Sequence, residues 1–156
     1  MLESNAAWAG ERTGGAQPAP PTRQVAVVTC MDARIDPLAA LGLRPGEAHV
    51  IRNAGGVVTD DVLRSLAVSQ HALGTREVLV LHHSRCGMEG LDEAGFLDGV
   101  ERATGTRPPA DVRGFADVEQ DVRSAVRTLR ESPYLVSTEV RGAVYDVETG
   151  AVRVVG

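Results

Sequence analysis

The chain has 156 residues, of which 43% are hydrophobic and 24% charged, and its formal net charge is −5. This length and composition predict a globular domain with its own core and exclude the fibrous, disordered and disulfide-dense classes. All 16 Lys+Arg residues are arginine, so Schiff-base and P-loop lysine chemistry are excluded. The arginines are spread along the chain, which argues against a nucleic-acid-binding surface.

The N-terminal segment carries no sign of secretion or membrane insertion. Residues 1–15 lack the basic and apolar regions of a signal peptide, and no apolar run of 18 residues predicts a membrane span. We therefore expect a cytoplasmic protein whose two cysteines stay reduced. Residues 1–23 are rich in Ala, Gly and Pro, which predicts a short helix and an extended arm, and residues 24–156 are expected to form one domain.

Short β-branched runs alternate with helical patterns along this domain. Strands are predicted at 24–29, 48–52 and 77–82, and their apolar character on both faces is typical of buried parallel strands. Helices are predicted at 37–41, from the cap Thr59 to Gly74, and at 118–130. Residues 98–117 form the least regular stretch, and the tail reads as a strand and hairpin over 139–145 and 151–155.

This pattern predicts an α/β fold with a mostly parallel central sheet flanked by helices. The expected strand order is about 2-1-3-4, with an additional C-terminal strand. In such a sheet the strand order reverses between the first and third strands, and ligands bind beyond the carboxyl ends of the strands at that point.

Two cysteines and a histidine lie at this predicted position. Cys30 ends the first strand, while His83 and Cys86 follow the third. Two thiolates and an imidazole are a typical Zn²⁺ ligand set that leaves one coordination position open. A single buried cysteine is more often a core residue than a ligand. The joint placement favours metal, with His83 preferred over His82 because it forms His-x-x-Cys, and His82 is interpreted as a wall residue.

Asp32 and Arg34 lie close to the predicted metal ligands. Their spacing places both side chains on one side of an extended segment, where an arginine holds a carboxylate through paired hydrogen bonds. Asp32 then either fills the fourth zinc position or accepts a hydrogen bond from a zinc-bound water. The alternative is an exposed loop ion pair, worth roughly 0–1 kcal/mol.

A glycine-containing segment follows the second strand at the same sheet edge. Glycines allow a ligand to approach the backbone, and an asparagine can hold a polar group. A plain turn is the alternative. We assign the candidate substrate-binding residues to this segment and to the turn after Cys86, namely Asn53, Gly55, Gly56 and Gly87.

These motifs together resemble the beta-class carbonic anhydrases, in their short prokaryotic-type branch. The residues that carry the resemblance are Cys30-Met-Asp32-Ala-Arg34, His49-Val-Ile-Arg52-Asn53-Ala-Gly55-Gly56, His83-Ser-Arg-Cys86-Gly87 and the tail from Val140 to Gly150. The resemblance implies that Cys30, His83 and Cys86 are zinc ligands and that Asp32 and Arg34 control the fourth position, with Asp32 as fourth ligand in a closed state. It also implies a homodimer or a higher homo-oligomer, with the N-terminal helix reaching over a partner subunit.

The reaction implied is the reversible hydration of CO2 to bicarbonate and a proton by zinc-bound hydroxide. Carbonyl sulfide and carbon disulfide hydrolases resemble the same family, and these motifs do not separate them. A non-catalytic zinc-binding module is the alternative from another class. A thiol redox protein is disfavoured because the chain lacks a Cys-x-x-Cys motif.

Overall fold

Five strands form one sheet in the computed structural model, which describes residues 2–11, 16–108 and 111–156. The strands are β1 (Val25–Cys30), β2 (Ala48–Asn53), β3 (Glu77–His83), β4 (Glu139–Tyr145) and β5 (Val152–Val154). The helices are α1 (Leu2–Glu11), α2 (Pro37–Ala40), α3 (Asp60–His71), α4 (Glu93–Thr104) and α5 (Val118–Arg130), and a 3-10 turn at Ala54–Gly56 follows β2.

The sheet has the order β2-β1-β3-β4-β5, which confirms the predicted fold class and strand order. β1 pairs in parallel with both β2 and β3, β3 pairs in parallel with β4, and β5 is antiparallel to β4. The chain therefore reverses its direction of travel across the sheet between β1 and β3. The carboxyl ends of these two strands lie side by side, and a crevice opens there.

The main core lies between one face of the sheet and the helices α3 and α5. It is built from small apolar side chains, including Ala26, Val28, Val80, Leu66 and Leu129, all of them buried. The opposite face has a smaller core of Val27, Leu81 and Ala143, packed against partly buried residues. One face of the sheet is therefore covered more fully than the other within a single chain.

Local sequence signals account for the two long core helices. The Thr59 hydroxyl accepts a hydrogen bond from the Val62 amide and caps α3, and the Asp117 carboxylate caps α5 by accepting from the Gln120 amide. The α5 bounds match the prediction, whereas α3 ends at His71, three residues before Gly74. The tail forms the predicted hairpin of β4 and β5.

The expectation of irregular structure from residue 98 is wrong for its first part, because α4 extends to Thr104. The Asp92 carboxylate accepts from the Gly95 amide at the start of this helix, and Gly105 ends it in a left-handed conformation. Leu97 is its one buried residue among those described. Gly95 and Gly99 lie inside this helix, and the low helix propensity of glycine argues against a helix at the level of the sequence.

α1 confirms the predicted N-terminal helix, and every residue in it is solvent-exposed. Residues 16–20 are likewise exposed and lie outside helix and strand, as expected for an arm, while residues 12–15 fall outside the described part of the chain. Within the part of the chain that the structure describes, none of the helices has the length and apolar character needed to cross a membrane.

Candidate metal centre

The parallel pairing of β1 and β3 brings together three side chains from distant parts of the sequence. Cys30 is the last residue of β1, His83 is the last residue of β3, and Cys86 lies three residues beyond it. All three are buried, and one ligand atom from each lies within 4.8 Å of the others. The two Sγ atoms are 3.9 Å apart. The three residues therefore lie together at the sheet edge where the strand order predicts them.

The hydrogen bonding of His83 leaves one ring nitrogen available. Nδ1 lies 3.0 Å from the carbonyl oxygen of Ser84, to which only a protonated nitrogen can donate. Nε2 is then the unprotonated nitrogen, and it is buried without a hydrogen-bond partner. A metal-ligating histidine typically has this arrangement, with one nitrogen donating to a carbonyl and the other free to bind. The donor set and the orphaned nitrogen both fit a zinc ion.

The two thiols cannot both ionise easily without a cation between them. A hydrogen bond from the Cys86 thiol lowers the pKa of Cys30, as do the backbone amides of Asp32 and Gly55. The same bond, together with burial, raises the pKa of Cys86. A divalent cation would neutralise both thiolates and remove this conflict.

Asp32 and Arg34 form a bidentate ion pair beside the cluster. Arg34 Nε lies 2.9 Å from Asp32 Oδ1, and Arg34 Nη2 lies 2.7 Å from Asp32 Oδ2. Asp32 Oδ2 is also 3.8 Å from His83 Nε2. The hydrogen bonds from Arg34 hold the pKa of Asp32 well below its usual range. The pair therefore presents a permanent carboxylate to the thiol–imidazole cluster.

A backbone carbonyl in the loop after β3 fixes the position of the Arg34 side chain. Arg34 Nη2 also donates to the carbonyl oxygen of Arg85, at 3.0 Å. Arg85 adopts a left-handed conformation with φ of 55°, which turns this loop sharply just before Cys86. Arg34 thus connects the loop after β1 to the loop after β3.

The glycines after β2 pack against the backbone of the Cys30 segment. A Cβ on Gly56 would lie 2.9 Å from the Cys30 backbone nitrogen, and Gly56 has a φ of +73°. Asn53 Nδ2 donates to the Val57 carbonyl at 2.8 Å, while its Oδ1 is buried without a partner. A Cβ on Gly87 would meet nothing within 4 Å. The close approach at Gly56 is thus to the protein itself, and substrate binding by Asn53, Gly55, Gly56 and Gly87 stays a prediction.

His82 points away from the cluster, because successive residues on a strand face opposite sides of the sheet. Its Nε2 lies 2.7 Å from Asp121 Oδ2 on α5, and its ring stacks at a tilt on Phe115 with centroids 5.6 Å apart. His82 is fully buried. This placement agrees with the preference for His83 as the residue at the cluster.

Sequence reasoning missed one side chain that contacts this site. Arg52 Nε donates to the Cys30 carbonyl at 2.9 Å, and Arg52 Nη2 donates to the Asp32 carbonyl at 2.7 Å. The available signals were its place in the family-like motif from His49 to Gly56 and its position directly before Asn53 at the end of a strand. A single charged residue at a strand end does not show that its guanidinium reaches across to the neighbouring strand.

Comparisons with known proteins agree with this fold and site. The family profile for carbonic anhydrases matches residues 25–103. Beta-carbonic anhydrase 1 of Mycobacterium tuberculosis is 48% identical over 137 residues, covering 87% of this chain and 84% of that protein. A carbon disulfide hydrolase of Acidithiobacillus thiooxidans is 31% identical over 174 residues, covering 97% of this chain and 85% of that protein.

The architecture is equally similar to that of a solved relative. The crystal structure of carbonic anhydrase from Streptococcus mutans superimposes with a TM-score of 0.93 at 41% identity, covering 99% of this chain and 95% of that one. The chain therefore belongs to the beta-carbonic anhydrase family of enzymes, as its motifs predict.

Proposed function

We propose that the chain is a zinc-dependent carbonic anhydrase that hydrates CO2 reversibly to bicarbonate and a proton. The observation that carries this proposal is the buried, unpartnered Nε2 of His83 within a cluster that also contains two thiols. A structural zinc site normally has four protein ligands, whereas three ligands leave a position for chemistry. Cys30, His83 and Cys86 would hold the ion.

A zinc ion bound there would act as a Lewis acid and lower the pKa of a water molecule toward ~7. The carboxylate of Asp32 would accept a hydrogen bond from the attacking water and so direct an oxygen lone pair toward CO2. Arg34 holds that carboxylate in one orientation through two hydrogen bonds. Holding the water and CO2 in one relative orientation lowers the entropic part of the activation barrier.

Apolar side chains around the cluster suit a small, nonpolar gas. Ile35 is buried together with both cysteines, and Met88, Phe115 and Tyr145 pack against this group. A wall of this kind excludes bulk water and leaves few polar groups to compete for the carbonyl oxygens. Asn53, Gly55, Gly56 and Gly87 remain the candidates for holding bicarbonate.

Asp32 has a second role in the proposal, as the fourth ligand in a closed state. Its Oδ2 atom is already 3.8 Å from His83 Nε2, so a small rotation away from Arg34 would carry it into the cluster. Arg34 would therefore keep the fourth position accessible by retaining the carboxylate.

One experiment separates the proposed activity from its alternatives. The zinc-loaded protein is assayed by stopped flow with CO2, carbon disulfide and carbonyl sulfide over pH 6 to 9. We expect the largest kcat/KM with CO2. Faster turnover of carbon disulfide or carbonyl sulfide would instead indicate the hydrolase activity named for the relative from Acidithiobacillus thiooxidans. Zinc binding without turnover of any of the three gases would indicate a non-catalytic zinc-binding module.

We also propose that the protein is a homodimer or a higher homo-oligomer in which residues 1–23 pack on a partner subunit. α1 has no buried residue, and Leu2 and Trp8 are 89% and 56% exposed. An isolated helix of 10 residues is marginal in water, so tertiary or quaternary contacts are needed to stabilise it. Sedimentation equilibrium should give a mass of at least two chains, and a monomer at micromolar concentration would contradict this proposal.

A further inference from the structure

A second arginine, distinct from Arg34, contacts the loop that carries Cys30 and Asp32. Arg52 lies in β2, one position before Asn53, the residue that pairs with Cys30 across the β1–β2 ladder. Its guanidinium reaches across to the end of β1 and the loop that follows. There it donates to two carbonyl oxygens, those of Cys30 at 2.9 Å and Asp32 at 2.7 Å. Both distances are those of charge-assisted hydrogen bonds.

These two bonds begin where the strand pairing ends. The Met31 amide donates to the Asn53 carbonyl at 2.8 Å, and beyond it the chain leaves the sheet. The Asp32 carbonyl receives one further bond, from the Ile35 amide at 3.2 Å. The planar fork of Arg52 thus bridges the Cys30–Met31 and Asp32–Ala33 peptides and replaces the support that a longer strand would provide.

Orientation of these peptides affects both functional groups of the loop. Cys30 and Asp32 are two residues apart on this loop, and Asp32 directs its carboxylate at Arg34. A rotation of the loop backbone would move the Cys30 sulfur and the Asp32 carboxylate together. Partners that orient a metal ligand in this way typically contribute roughly 10- to 100-fold to metal affinity or activity.

Arg52 is not neutralised by a nearby carboxylate among the residues that the structure describes. Its guanidinium forms no ion pair with a carboxylate in the described ranges, unlike that of Arg34, which is paired with Asp32. The two arginines therefore act on the same residue in different ways. Arg34 holds the Asp32 side chain, and Arg52 holds its backbone.

We propose that Arg52 is a positioning residue for the reaction: its fork onto the Cys30 and Asp32 carbonyls sets the loop geometry that aligns the metal-facing sulfur and the Asp32 carboxylate. This inference rests on the proposed zinc-dependent activity. It concerns the backbone of the loop, so Arg52 itself need not touch substrate or metal.

The test compares the wild type with Arg52→Ala and Arg52→Lys, each prepared in zinc and in cobalt form. We expect Arg52→Ala to lower kcat by roughly 10- to 100-fold with a smaller change in KM, and to release zinc faster to a chelator. We also expect a shifted visible spectrum of the cobalt form, because that spectrum reports ligand geometry independently of turnover. Arg52→Lys should be intermediate in all three, since an ammonium group lacks the rigid fork.

Arg64→Ala is the matched control, because Arg64 is an exposed arginine whose guanidinium pairs with Asp61 on the surface of α3. It should behave as the wild type in each measurement. A cobalt spectrum, kcat and zinc release rate within twofold of the wild type for Arg52→Ala would overturn the inference. If Arg52→Ala fails to fold, wild-type values for Arg52→Lys would overturn it instead. A wild-type protein that is inactive or binds no zinc would contradict the proposed function, which is a separate outcome.

Discussion

Replacing Cys86 by alanine is expected to reduce the zinc content from about one ion per chain to almost none, and to abolish CO2 hydration with it. Cys86 is one of three side chains in the cluster, and its Sγ lies 3.9 Å from that of Cys30. The two remaining ligands cannot complete a tetrahedral site. The loss should exceed the roughly 10- to 100-fold that removing a hydrogen-bond partner of a ligand costs. Metal analysis after extensive dialysis measures the effect.

Ile35→Val provides a control for local destabilisation. Ile35 is buried in the same cluster as Cys30 and Cys86, and removal of one methylene there should cost about 0.5–1.5 kcal/mol of unfolding free energy without removing a ligand. We expect this variant to retain its zinc and most of its activity. Undiminished zinc in Cys86→Ala would exclude Cys86 from the site.

Substituting alanine for Asp32 or for Arg34 should retain the zinc but lower kcat for CO2 hydration by about 10²-fold or more. Neither residue belongs to the cluster of Cys30, His83 and Cys86, whereas in the proposed mechanism Arg34 orients the Asp32 carboxylate toward the attacking water. Asp32→Ala removes the hydrogen acceptor itself. Arg34→Ala leaves an acceptor that is free to rotate or to occupy the fourth position. Stopped-flow rates and metal content, measured on the same samples, check both expectations.

A second arginine–aspartate pair offers a matched control for these two variants. Asp61 and Arg64 lie on the exposed surface of α3, with an Nη2–Oδ1 distance of 2.8 Å. Because exposed pairs contribute roughly 0–1 kcal/mol to stability, Asp61→Ala and Arg64→Ala should leave hydration unchanged. Full activity in both Asp32→Ala and Arg34→Ala would show that the pair beside the cluster is only a loop ion pair.

Several features of the fold could be predicted because their causes are local. The buried strands are short β-branched runs, and the α3 and α5 helices carry side-chain caps and apolar faces that are buried against the sheet. Handedness and short connections then restrict how such a βαβ pattern closes into a sheet. The convergence of Cys30 with His83 and Cys86 follows from that topology, since residues at the ends of two adjacent parallel strands must meet at one edge.

Other features depend on contacts that no local pattern encodes. α4 contains two glycines, Gly95 and Gly99, which lower its helix propensity, and its one buried side chain among those described, Leu97, packs in the tertiary structure. The reach of Arg52 to the Cys30 and Asp32 carbonyls depends on the β1–β2 register. The choice of His83 Nε2 as the free nitrogen depends on where the Ser84 carbonyl points.

The residue types of the site and the family follow from the order of residues along the chain, because ligand chemistry and motif spacing are properties of that order. Which atoms of those residues face one another depends on the assembled fold. Distances such as 3.8 Å between His83 Nε2 and Asp32 Oδ2 are produced by the pairing of distant strands and by the loops that leave them. Hydrogen bonds act over about 3 Å, so these partners are settled only once the sheet has assembled.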